Sequence, residues 1–105
     1  MSQGLVPLTD QEIAERLEAL SGWEQIDRYI TRRYEIRYHA AVAAIVTIAD
    51  RSRRVQHHAD LDLRMDSLTA RITTHDAGFV LTAADFDLAH RIDAIVAAHQ
   101  ALPLD

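Results

Sequence analysis

The chain has 105 residues, of which 49% are hydrophobic and 26% charged, and its formal net charge at pH 7 is −5. This size and composition predict one globular domain over residues 1–105, and the acidic balance argues against a general nucleic-acid binder. The absence of cysteine excludes disulfides and thiolate sites, and the absence of lysine excludes Schiff-base chemistry on that side chain.

The amino-terminal segment has neither the basic start nor the long apolar run of a signal peptide. The longest apolar run, from Ala40 to Ile48, is much shorter than the roughly 20 residues that cross a bilayer. We therefore expect a cytoplasmic protein with no membrane partner and no nucleic-acid partner.

The first helix and the first two strands are predicted from a helix-capping signal and from a change in the spacing of apolar residues. Residues 9–12 read Thr-Asp-Gln-Glu, the form of a capping box, and predict a helix over residues 9–20. Residues 29–38 then alternate apolar and polar side chains, which is typical of a half-buried strand. Together with the segment before it, this run predicts two antiparallel strands joined near Asp27 and Arg28.

A second helix is predicted over residues 40–56, because this alanine-rich segment has apolar residues at helical spacing. It delivers His57 and His58 at its carboxyl end. Strands over 61–65 and 68–74, with a turn at Asp66-Ser67, then bring His75 back toward the two adjacent histidines. Imidazole exchanges protons near neutrality, so this convergence favours proton-transfer chemistry over simple packing.

Residues 82–85 carry a second capping signal and predict a last helix over about 83–100, and Pro103 predicts the end of ordered structure. The predicted order is α-β-β-α-β-β-α. It indicates an α+β fold in which a four-stranded antiparallel sheet has three helices packed on one face. The other face is expected to be exposed or used for self-association.

The sequence resembles the pterin-4a-carbinolamine dehydratases over nearly its whole length. The resemblance rests on the His57-His58 pair, the hairpin after it, Thr74-His75-Asp76, Gly78, the Thr82 to Asp85 helix start and the Leu88-Ala89 pair. It implies dehydration of a 4a-hydroxytetrahydropterin to quinonoid dihydropterin in tetrahydrobiopterin recycling. It also implies a homodimer or homotetramer that needs no metal and no organic cofactor.

Carried over by position, the resemblance assigns His57, His58 and His75 to catalysis. It assigns Trp23, His58 and Asp76 to substrate binding, with Trp23 as an apolar wall and His58 mainly holding the ring. The role of each histidine in proton transfer stays open, because it depends on tautomers that second partners set.

Four residues depart from the family pattern around the expected pocket: Arg53, Ala59, Met65 and Phe79. They keep a second interpretation open, in which the same fold serves as a dimerisation or assembly factor or acts on another small molecule. A metal site on the three histidines, with Asp60 or Asp76 as a carboxylate partner, is a weaker hypothesis, because adjacent residues seldom aim at one ion.

Overall fold

The structure is a computed structural model that describes residues 6–102. Its elements are α1 (Asp10–Glu18), β1 (Glu24–Ile26), β2 (Tyr29–Glu35), α2 (Tyr38–Val55), β3 (Asp60–Arg64), β4 (Ser67–Ile72) and α3 (Ala83–Gln100), with a 3₁₀ helix at His75–Ala77 before α3. The strands form one antiparallel sheet in the order β1-β2-β4-β3. The predicted α+β fold and element order are confirmed, whereas the prediction for Pro103 falls outside the described residues.

The two faces of the sheet follow from the alternation of side chains along β4. Leu68, Ala70 and Ile72 are fully buried and form the core face. That face packs against apolar side chains from all three helices, including Ile13, Ile48 and Ile92. The opposite side carries Thr69 and Arg71 of β4 and is called the open face below.

The helix starts agree with their capping signals. Thr9 Oγ1 accepts from the Glu12 N–H at 3.1 Å, and the Thr9 N–H donates to Glu12 Oε1 at 2.8 Å, which completes the predicted capping box of α1. At the start of α3 the Thr82 N–H donates to Asp85 Oδ2 at 2.8 Å. Over residues 6–102 no helix is both long and apolar enough to span a membrane.

One prediction about the second strand is wrong, because β2 ends at Glu35 and Tyr38 already begins α2. Glu35 pairs with Ser67, the first residue of β4, so no strand residue of β4 remains beside the chain beyond that pair. The Ile36 N–H still donates to the Asp66 carbonyl at 3.2 Å. After it Arg37 becomes the N-cap of the helix, although the alternation in the sequence continues to residue 38.

The turn of the second hairpin is also displaced by one residue. It consists of Met65 and Asp66, not Asp66 and Ser67, because Ser67 pairs with Arg64 and is buried within the sheet. Moving a turn by one residue shifts the pairing by two residues, so every side chain keeps its face. Leu61 and Leu63 contact the core in either register, and the hydrophobic pattern could not distinguish the two.

Candidate active site

His57 is positioned by the way α2 ends. Gln56 adopts a left-handed conformation with φ +56°, and the His57 N–H donates to the Ser52 carbonyl at 3.1 Å. This end bond reverses the chain and satisfies a carbonyl of the last helical turn. The His57 side chain is 12% exposed and reaches the start of α3.

His75 is held by a short closed loop after β4. The Thr74 N–H donates to the Val80 carbonyl at 3.1 Å, and the Phe79 N–H donates to the Thr74 carbonyl at 3.0 Å. Gly78 and Phe79 complete the loop with φ +87° and +62°. The His75 ring is exposed and packs against the Phe79 ring, with 4.7 Å between the ring centroids.

The three predicted histidines meet at the end of the sheet where β4 finishes and β3 begins. One cavity of about 110 Å³ separates them, and we call it the histidine cavity; its lining is Gln56, His57, His58, Thr73, Thr74, His75 and Asp76. Of the five residues that the sequence assigned to the site, the structure therefore brings four together: the histidines and Asp76. Trp23 does not line this cavity.

A buried carboxylate supports one of these histidines. Asp85 is fully buried, and its Oδ1 lies 2.7 Å from His57 Nε2. Its Oδ2 accepts from the Thr74 hydroxyl and from the Thr82 N–H, each at 2.8 Å. The Thr74 and Thr82 hydroxyls are 2.7 Å apart, and because Thr74 gives its proton to Asp85, Thr82 donates to Thr74.

With Asp85 ionised, this arrangement sets the tautomer of His57. An ionised carboxylate only accepts hydrogen bonds, so Nε2 of His57 carries a proton toward Asp85. The other ring nitrogen, Nδ1, makes no hydrogen bond within residues 6–102. A neutral His57 therefore offers the lone pair of Nδ1, and a protonated His57 offers an N–H there, both of which suit proton transfer.

Sequence reasoning found Asp85 only as a helix cap. Its signal was the capping pattern at residues 82–85, which the structure confirms. The second role could not be read from that pattern, since His57 is 28 residues away in the chain and meets Asp85 only through tertiary packing.

Trp23 lies in the core, with 6% of its surface exposed. Its indole Nε1 donates to Asp93 Oδ1 at 3.0 Å, and its ring meets Tyr34 edge to face. Asp93 Oδ1 also accepts from Arg32 at 3.0 Å and from the Tyr34 hydroxyl at 2.6 Å. Burial and the neighbouring carboxylate both raise the pKa of Tyr34 above its ordinary value.

The four departures from the family pattern lie in different surroundings. Arg53 is exposed and forms an ion pair with Asp50 at 2.7 Å. Ala59 packs partly against the core, and Met65 is 81% exposed at the β3–β4 turn. The Phe79 ring packs against His75, a histidine of the cavity.

The candidate metal ligands among the described residues do not converge on one point. Within residues 6–102, no group of three or more histidine or carboxylate side chains is arranged to hold a metal ion. The geometry therefore gives no support to the hypothesis of a metal site on the three histidines with Asp60 or Asp76.

Comparison with known proteins supplies independent findings. Residues 6–95 match the family model described as pterin 4 alpha carbinolamine dehydratase. A Streptomyces coelicolor protein, whose name assigns it provisionally as a pterin-4-alpha-carbinolamine dehydratase, is 38% identical over 96 residues, which cover 90% of this chain and 95% of that protein.

Solved structures share the fold with this chain, as two of them illustrate. The crystal structure of a transcriptional coactivator/pterin dehydratase from Brucella melitensis matches with a TM-score of 0.81 and 26% identity, over 87% of this chain and 99% of that one. A pterin dehydratase-like protein described as a RuBisCO assembly factor in the alpha-carboxysome matches with a TM-score of 0.56 and 16% identity, over 70% and 86%. The second likeness shows the fold alone.

Proposed function

The chain belongs to the pterin 4 alpha carbinolamine dehydratase family, and from this premise we propose that it is a hydro-lyase that converts a 4a-hydroxytetrahydropterin to quinonoid dihydropterin and water. The observation that carries the proposal is the histidine cavity, in which His57, His58 and His75 meet and a buried carboxylate orients His57. Such a site supplies proton donors and acceptors that work near neutral pH.

The reaction needs two proton transfers and no redox step. The bond between C4a and its hydroxyl oxygen breaks, the oxygen leaves as water after it gains a proton, and N5 loses its proton as the C4a–N5 double bond forms. An imidazolium can supply the first proton and a neutral imidazole can take the second. The lone pair of N5 forms the new double bond as the C4a–O bond breaks, and the electrons of the N5–H bond remain on N5 as its lone pair, so atoms and charge balance.

The structure favours one division of these roles. His57 is the base that receives the N5 proton, because Asp85 fixes the tautomer that leaves a lone pair on Nδ1. His75 is the acid that protonates the leaving hydroxyl, because its exposed ring can regain a proton from water. His58 and Asp76 complete the lining and hold the ring of the substrate. No role at this cavity is assigned to Trp23, whose indole is bound to Asp93.

Stopped-flow absorbance of 4a-hydroxytetrahydropterin decay tests the proposal. We expect the protein to accelerate the decay, and the variants His75→Ala and His57→Gln to lose about 10²-fold or more of that acceleration. Glutamine at position 57 can keep an N–H donor for the buried Asp85, so we expect this variant to remain folded. His90→Ala is the matched control, because His90 is exposed on α3 and does not line the cavity.

The alternative is a non-catalytic use of the same fold, as a dimerisation or assembly factor or on another ligand. One neighbour of this fold is described as a RuBisCO assembly factor, and a fold by itself does not determine an activity. Decay of the 4a-hydroxytetrahydropterin no faster than in buffer, by a correctly folded protein, would contradict the dehydratase. A fold and an oligomeric state that persist when the three histidines are replaced would favour this alternative.

The setting of the reaction is part of the same proposal: tetrahydrobiopterin recycling in the cytoplasm by a homodimer or homotetramer. Self-association is supported by an exposed apolar stripe on α2, formed by Tyr38, Val42 and Val46 at helical spacing. Sedimentation velocity at micromolar concentration tests it, and a strictly monomeric profile would contradict it.

A further inference from the structure

A second cavity lies at the same end of the sheet as the histidines, on the open face. It has a volume of about 720 Å³, within the range of roughly 300–1,000 Å³ that small-molecule sites occupy. We call it the open-face cavity; its main lining residues are Ile26, Asp27, Arg28, Tyr29, Arg71 and Phe79. The histidine cavity, at about 110 Å³, is below that range.

Two contacts join the cavities. Thr73, which lines the histidine cavity, donates from its hydroxyl to the Arg28 carbonyl at 2.6 Å. Phe79 lines the open-face cavity while its ring packs on His75. The two cavities are therefore separated by the Phe79 ring and the Thr73–Arg28 bond.

The open-face cavity carries two guanidinium groups against one carboxylate. Arg71 lies over the Tyr29 ring, with its Cζ 4.9 Å from the ring centroid. Arg71 is opposite Asp60 in the strand register, and its charge also acts on Asp62, but neither Arg71 nor Arg28 forms a direct ion pair within residues 6–102. Guanidinium N–H groups form a planar fork that fits carboxylate and phosphate oxygens, so the cavity is suited to an anion beside an aromatic surface.

Phe79 is unusual in conformation as well as in position. It adopts φ +62°, where a bulky side chain is strained. It also remains about half exposed, so burial of its ring gives limited compensation. The Phe79 ring thus lies between two cavities on a backbone of unfavourable φ. Strained residues cluster at ligand-binding sites, so this position fits a role in contacting a ligand.

Pterin chemistry connects the two sites. The reacting atoms C4a and N5 are followed around the ring by C6, the carbon that carries the side chain. If C4a and N5 lie among the histidines, the side chain leaves the ring one bond from N5 and must extend past the border of the histidine cavity. His75 forms part of that border, and the Phe79 ring that packs on it lines the open-face cavity.

From this geometry we infer that the open-face cavity is a subsite for an acidic side chain of the substrate, held by Arg71 and Arg28, so that the protein prefers pterins with a carboxylate or phosphate on that chain over neutral ones. The inference rests on the proposed function for the position of the ring. Its independent support is the size, the charge and the aromatic lining of the second cavity.

Equilibrium binding of three stable probes tests this inference: biopterin, whose side chain is neutral, neopterin monophosphate, and folate, whose tail ends in carboxylates. We expect the wild-type protein to bind at least one anionic probe about tenfold more tightly than biopterin. Whichever anionic probe binds more tightly distinguishes phosphate from carboxylate as the natural group. Equal affinity for all three probes, or no binding of any, overturns the inference.

Variants make the test specific to the cavity. Arg71→Gln should lower the affinity for the anionic probe about tenfold and change the affinity for biopterin less than twofold. Arg71→Lys keeps the positive charge and should therefore retain part of the preference for the anionic probe. Arg33→Gln is the matched control, because Arg33 lies on the same face of the sheet outside the cavity. Equal losses of affinity for the anionic probe in the Arg71→Gln and Arg33→Gln variants would overturn the assignment of the subsite to the open-face cavity.

The same variants separate this inference from the proposed function. Acceleration of 4a-hydroxytetrahydrobiopterin dehydration without any anion preference would refute the subsite and leave the dehydratase standing. Binding of an anionic probe that depends on Arg71, without any dehydration, would refute the dehydratase and support the subsite.

Discussion

Replacement of Asp85 by asparagine tests whether one buried carboxylate both caps α3 and orients His57. The Thr82 N–H can only donate, so the amide oxygen of the new side chain must take the position of Oδ2. Its NH₂ group then faces His57 Nε2, which lies 2.7 Å from Oδ1 in the native protein. The two donors oppose each other unless the proton of His57 moves to Nδ1, which removes the lone pair from the cavity.

The magnitude follows from the bonds that change. Hydrogen bonds to a charged group contribute about 1.5–3 kcal/mol each, and neutral ones about 0.5–1.5 kcal/mol. The bonds from Thr74 and Thr82 become neutral, so the free energy of unfolding should fall by about 2 kcal/mol. For a domain of this size that corresponds to a decrease in Tm of about 8–16 °C. The altered tautomer of His57 should lower kcat by about 10²-fold.

Thermal unfolding and stopped-flow dehydration measure the two effects separately. Asp87→Asn is the control, because it makes the same chemical change at an exposed position of α3 and should alter stability by no more than about 0.5 kcal/mol. If Asp85→Asn unfolded and reacted like the wild type, both roles would be refuted. If it lost stability but kept its rate, Asp85 would be a helix cap without an orienting role.

Three further predictions concern the backbone and the core. Phe79→Gly should be more stable than Phe79→Ala by about 1 kcal/mol in urea unfolding, because both remove the ring and only glycine relieves the φ of +62°; equal stabilities would show that no strain is stored there. The pKa of Tyr34 is raised in the folded protein, so its stabilising contribution is present below pH 10 and is lost as the pH rises above it, by about 1.4 kcal/mol per unit; Tyr34→Phe should flatten this alkaline decline, and an unchanged slope would exclude Tyr34 as its source. Gly22→Ala should cost more in Tm than Gly78→Ala, although both have positive φ, because only at Gly22 would the new Cβ meet another side chain, at 2.8 Å from Arg32 Cζ; equal losses would mean that Arg32 moves aside without cost.

Much of the fold could be predicted because hydrophobic period and capping chemistry are local signals. α3 begins and ends where its capping pattern and apolar stripe predict. The prediction errors arise where the local structure depends on pairing with another part of the chain. Tyr38 continues the apolar–polar alternation of a strand, but no residue of β4 lies beside it to pair with. The turn of the second hairpin could move by one residue without changing the face of any side chain.

The candidate site shows the same division between local and tertiary information. A hairpin necessarily returns its second strand to the start of its first, so the approach of His75 to His57 and His58 could be predicted. No local pattern indicates that the start of α3 lies under the end of α2, which gives Asp85 its second role. Nor does the sequence reveal that the Trp23 indole donates to Asp93 and that Trp23 does not line the histidine cavity.

Two aspartates on α3 illustrate how partners determine what a carboxylate can do. Asp93 accepts hydrogen bonds from three donors that keep their protons near neutral pH: Trp23, Arg32 and Tyr34. It can therefore anchor α3 to the sheet but cannot pass on a change of protonation. Asp85 accepts hydrogen bonds from Thr74 and Thr82, two donors that also keep their protons near neutral pH. It also contacts His57, and imidazole is a side chain that exchanges protons near neutrality. Because His57 also lines a cavity, the Asp85 cluster, unlike the Asp93 cluster, connects the protein interior to a group that can give a proton to a ligand or take one from it. Proton chemistry is accordingly expected at the start of α3 and not around Trp23.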